Sequence, residues 1–204
     1  MTMAEAGPRT AFLACGALAR ETRQIVERRG WQADVHGVSS QLHLEPLKIA
    51  PAVDAKLAKL TARYDSVIVV YGDCGTGGRL DDVLKKYPAV RPAGVHCYEW
   101  FAQDQFAQTQ DDLGIYFLTD WLVRNWERAV IKGLGLDRFP WLRDTYFEHI
   151  TRILFLRQEP DPALEQKARV IAAWMDRPIE IRDSGLRPLE RLLAPLMEEA
   201  DVHD

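Results

Sequence analysis

The stretch SVIVVYGDCGTGG, residues 66–78, runs an unbroken apolar strand into a turn that holds one cysteine and four glycines. Val67, Ile68, Val69 and Val70 leave no polar face. Such a run suits a strand covered on both sides, as parallel sheets are. Outward from it, strand and helix patterns alternate. TAFLAC (10–15) is a short apolar run, and the helix-period segment GALARETRQIVERRG follows it, closed by Gly30. WQADVHGVSS reads as a second strand, and apolar spacing from Val53 through Leu57 and Leu60 reads as a helix. RLDDVLKKYP is a short helix, PAGVHC a fourth strand, and YEWFAQDQFAQ the helix after it.

Further on, GIYFLTDW is a strand, with Thr119 or Asp120 as N-cap of WLVRNWERAVIKGLGL. WLRDTYFEHITRILFLRQE starts as a helix, while its residues 153–156 fit a strand. DPALEQKARVIAAWMD is a helix with Pro162 in its first turn. A strand, a turn at Gly185 and a last helix complete the chain. This alternation predicts a single α/β domain over residues 1–204, three-layer and Rossmann-like, with a mostly parallel sheet and a helical insertion near 121–152.

The 204 residues suffice for one such domain, and 47% of them are hydrophobic. A net charge of −4 argues against nucleic acid as a partner, since phosphate binding needs a basic face. MTMAEAGPRT lacks the basic start and apolar core of a signal peptide, and no apolar run is long enough to span a membrane. A soluble, cytoplasmic protein is expected.

Three cysteines, Cys15, Cys74 and Cys97, do not make a disulfide framework without a secretion signal. Each falls at the carboxyl end of an expected parallel strand, the edge where open α/β sheets bind ligands. His43, in SQLHLEP after the second strand, reaches the same edge. Three thiolates with one imidazole suit zinc, which takes sulfur and nitrogen tetrahedrally. Three thiolates alone suit a [4Fe-4S] cluster with one iron open. Zinc is slightly favoured because His43 completes a four-ligand set. Against this stands the ordinary use of cysteine as a small buried hydrophobe. The turn Gly75, Thr76, Gly77 and Gly78 is a candidate wall for a bound cofactor, although it lacks the Gly-Lys-Ser/Thr of a phosphate loop. His36 ranks behind His43 as a ligand. His96 points opposite to Cys97 if the strand holds, and Asp73 reads as a turn former beside Cys74.

FLACGAL, LHLEP, VIVVYGDCGTGG and GVHCYEWF, in that order, with GIYFLTDW and the helix containing ARVIAAW, resemble an uncharacterised bacterial and archaeal family, a domain of unknown function. Genes of that family often lie near corrinoid-dependent methyltransferases, including those for methylated amines. The resemblance therefore implies a role in one-carbon metabolism, with no established reaction. It carries over Cys15, Cys74 and Cys97, with His43 in the matching histidine segment. Three functions follow from the residues and the resemblance together. One is a metal-centred enzyme or accessory protein beside corrinoid methyl transfer, with a small-molecule ligand or a corrinoid protein as partner. The second is a metal-free thiol enzyme with Cys74 as nucleophile or redox thiol. The third is a non-catalytic chaperone holding a corrinoid or a methylated ligand.

Overall fold

In the computed structural model, which describes residues 9–102 and 112–202, the buried run Thr10–Cys15 is strand β1. Helix α1, Ala19–Arg29, stops at Gly30, whose φ of 65° lets its amide close on the carbonyls of Val26 and Glu27. Strand β2, Ala33–Val38, leads into two 3-10 turns, Ser40–Leu44 and Pro46–Lys48. Helix α2, Ile49–Leu60, buries Val53, Leu57 and Leu60, the positions its period singled out. Strand β3, Ser66–Val70, is the apolar run of the opening stretch, and helix α3, Arg79–Leu84, follows the glycine turn.

The fourth strand differs from expectation. Strand β4 is only Ala89–Val90, and Cys97 is the first residue of helix α4, Cys97–Ala102. Cys97 is therefore not a strand-end residue. Pro92 has no amide to give a ladder, and Gly94 stands at φ 140°, outside the range of other residues. These two end the extended run before PAGVHC can form a strand. The rest of the helix expected over YEWFAQDQFAQ lies outside the described residues.

The first sheet is parallel throughout, in the order β2-β1-β3-β4. The chain leaves β1 to one side for β2, then returns past it to β3. This reversal makes the gap between the carboxyl ends of β1 and β3 the topological switch point, where such sheets bind ligands.

A second parallel sheet has the order β5-β6-β7, so the strands form two sheets where alternation alone pointed to one. Strand β5, Ile115–Thr119, ends in Thr119, which caps helix α5, Asp120–Arg124, by accepting from the Leu122 amide. A π-helical turn, Glu127–Lys132, and helix α6, Leu142–Phe147, complete the helical segment near 121–152. Strand β6, Arg152–Arg157, settles the ambiguous stretch as a strand whose four middle residues are buried. Helix α7, Pro162–Met175, is capped by Asp161; strand β7, Ile179–Asp183, and helix α8, Arg187–Val202, follow. Trp126 and Phe147 pack with Leu118, Ile153 and Phe155 in the core of this sheet, so these aromatics serve packing.

The chain divides into two compact units. The first takes residues up to His96 and returns from Glu190 onward; the second is Cys97–Leu189. Among the described residues, no helix is long and apolar enough to cross a membrane.

Candidate functional site

Cys15 is the last residue of β1, paired in register with Val38 and 3% exposed. The Ala17 amide donates to its sulfur at 3.4 Å, and the nearby Tyr71 hydroxyl works with it to lower the thiol's pKa. Burial dominates nonetheless and pushes the thiol up to about 11, with the nearby Glu21 charge acting in the same direction.

Cys74 lies just beyond β3. The backbone after Val70 runs close beside residues 94–96, with the Asp73 amide on Gly94 O at 3.2 Å and the Cys74 amide on Val95 O at 2.7 Å. Gly72 permits this approach, since a β-carbon there would lie 2.7 Å from His96 Cα. Cys74 itself takes φ 48°, a left-handed conformation uncommon outside glycine. Burial pushes its thiol up to about 12, and the neighbouring Cys15 and Asp73 add to the rise.

The glycine turn is filled from within. The Asp73 carboxylate accepts from the Thr76 hydroxyl at 2.5 Å, the Gly78 amide at 2.9 Å and the Gly77 amide at 3.1 Å. The Thr76 hydroxyl, then the Gly78 amide, hold Asp73 below the usual carboxylate range. Two amides that would face a cofactor anion thus already face a fixed one. Gly75, Thr76, Gly77 and Gly78 serve in this structure as a bracket for Cys74. Arg91 braces the opposite side: Nε and one terminal nitrogen grip Asp81 of α3 at 2.6 and 2.9 Å. The other terminal nitrogen donates to the carbonyls of Pro92 and Gly94, each at 3.2 Å.

His43 sits in the turn after β2. Its Nδ1 lies 2.9 Å from Ser40 O. A carbonyl can only accept, so Nδ1 carries the proton and Nε2 keeps its lone pair for a ligand. The ring stacks on Tyr71 at 5.5 Å and 12°. That contact desolvates it and lowers its pKa, although its outer side stays exposed. Pro46 Cβ lies 3.4 Å from where a β-carbon of Gly75 would be, so the turns after β2 and β3 are neighbours. Fully buried Tyr71 links these parts. Its hydroxyl acts on the Cys15 thiol, its ring stacks on the imidazole, and it begins the segment that carries Cys74.

The family model described as Protein of unknown function (DUF1638) matches residues 38–193. The chain belongs to the DUF1638 family. No curated protein matches the chain, and no solved structure does. The DUF1638 match takes in His43, Cys74 and Cys97 but starts at the last residue of β2, after Cys15. Strand β1 pairs with both β2 and β3, so Cys15 is still part of the sheet that the matched segment builds.

The expected residues of this DUF1638 protein are placed unequally. Cys15 and Cys74 share one edge and feel each other's charge, and His43 reaches that edge through Tyr71. Cys97 opens the second unit, directly after His96 in the chain. Among the described residues, no three His, Cys, Asp or Glu side chains stand together as a ready metal-holding group. His36 belongs to a separate network, with its Nε2 3.1 Å from the Tyr64 hydroxyl, which donates to Asp34. His149 is exposed beside Glu148. Tyr71 and Arg91 were not candidates from the sequence. A tyrosine closing a buried strand was a faint signal for the first, and nothing local marked the second. Two soft sulfurs and an imidazole nitrogen are donors that suit zinc.

Proposed function

We propose that this DUF1638 protein is a metal-centred protein of one-carbon metabolism, with Cys15, Cys74 and His43 of the first unit as its ligands. The observation that carries the reading is the placement of two thiols at the switch point, one at the end of β1 and one just past β3. A mixed sulfur and nitrogen set favours zinc over a cluster. Bound zinc would supply the positive charge that lets these buried thiols ionise, and it lowers the pKa of a thiol that joins it. A zinc-activated thiol accepts methyl groups, which fits the role in one-carbon metabolism that the family resemblance implies. Cys15 and Cys74 would hold the ion, while the stack on Tyr71 keeps the His43 ring in place. Cys74 as a metal-free nucleophile has less support, because reactive cysteines need a depressed pKa and its own is raised.

The test is metal and acid-labile sulfide per chain, on protein purified without air or a histidine tag. One zinc in wild type, lost in Cys74→Ser and in Cys15→Ser, is the expected result. Several irons with matching sulfide would keep the metal reading and replace zinc by a cluster. Absence of stoichiometric metal from wild type would overturn it.

A further inference from the structure

Cys74 hangs inside a closed circuit of hydrogen bonds. From Asp73, the carboxylate bonds to Thr76, Gly77 and Gly78 lead into α3. On α3, Asp81 receives the fork of Arg91. Arg91 in turn holds Gly94 O, and Gly94 O accepts the Asp73 amide, which closes the ring. Val95, one residue on, supplies the carbonyl for the Cys74 amide. Four donor contacts from one guanidinium therefore fix both rails between which Cys74 is carried. The Arg91 side chain is only 12% exposed, while that of its partner Asp81 stays open to solvent.

We infer that Arg91 is a positioning residue for the proposed metal site, acting through the Gly94 and Val95 carbonyls to hold Cys74 in its left-handed conformation. The inference rests on the metal reading above. A planar fork with five N–H groups satisfies a carboxylate and two carbonyls at once. The ammonium of lysine lacks that geometry. The plainer alternative is an ion pair that only joins α3 to the next segment. That alternative predicts lost stability in Arg91 variants with an unaltered metal site.

Cobalt(II) separates the two, because its sulfur-to-cobalt charge-transfer absorption reports thiolate ligation directly. The full-length, reduced, metal-stripped protein is titrated with cobalt(II) chloride without air, as wild type, Arg91→Gln, Arg91→Lys and Asp81→Asn. Arg157→Ala is the control: Arg157 bridges Glu165 and Asp183 within the second unit, whereas Cys74 belongs to the first. Arg91→Gln should weaken cobalt binding about 10- to 100-fold, the usual effect of losing a supporting residue around metal ligands, and should reduce the charge-transfer band. Arg91→Lys should recover only part of the affinity. Asp81→Asn, which keeps the bonds to the carbonyls, should fall between wild type and Arg91→Gln and serves if the Arg91 variants fold poorly. Arg157→Ala should bind cobalt as wild type does. A wild type with no charge-transfer band overturns the metal reading and this inference with it. A wild-type band that is unchanged in affinity and intensity in the Arg91 and Asp81 variants overturns this inference alone. Equal weakening in Arg157→Ala also overturns it, since general destabilisation would then suffice.

Discussion

Cys74 pays for its place with backbone strain, since a β-carbon at φ 48° costs about 1–2 kcal/mol. Glycine relieves that strain but loses more chain entropy on folding, roughly 0.5–1 kcal/mol. In metal-free protein, Cys74→Gly should therefore be more stable than Cys74→Ala by about 0.5–1 kcal/mol. Urea unfolding in the presence of chelator measures the difference, and a Cys74→Gly midpoint equal to or below that of Cys74→Ala would mean the strain is no larger than glycine's entropy cost. Cys15 gives a prediction in pH. Its folded pKa is raised, to about 11 against an ordinary 9.0, so its contribution is fully present below pH 9. Above that, the unfolded chain sheds the proton first, and stability falls as pH rises through about 11. The slope is about 1.4 kcal/mol per pH unit. The difference between metal-free wild type and Cys15→Ala across this window isolates it. Whereas Cys97 was misplaced, Cys15 at the end of β1 and Cys74 just past β3 were legible because strand period and chain order place them. Tyr71 and Arg91 were not, because their partners at Cys15, His43, Asp81 and Gly94 are brought near only by the fold.

Among the elements, the helix boundaries marked by Gly30 and Pro162 were readable, since each residue acts on its own backbone. The ambiguous segment at β6 was not decided by its period. A central strand buried on both faces is apolar throughout, as a buried helix can be. PAGVHC failed as a strand because the breaks at Pro92 and Gly94 outweigh its apolar residues. Helix α8 offers a test of element packing. Its Leu193 is fully buried, and Glu190 receives Arg28 and Arg29 of α1. Leu193→Ala should cost about 2–5 kcal/mol in urea unfolding. Amide exchange in β1 should quicken with it. Acceleration confined to β7 would contradict the assignment of this helix turn to the first unit.

For the molecule as a whole, alternation revealed an α/β fold with parallel strands, because each βα unit writes its pattern locally. The allotment of strands to two sheets was hidden, since pairing joins residues far apart in sequence. The same holds for the return of α8 to the first unit after Leu189. That return has a consequence for how the protein is made. A ribosome adds about 5–20 residues per second, so the second unit is synthesised over several seconds while the first still lacks its last piece. The first sheet can then reach its finished packing only once residues beyond Glu190 have emerged. Until that moment Cys15 and Cys74 belong to an incomplete nascent fold, and the loading of any metal between them becomes a late event in the life of the chain.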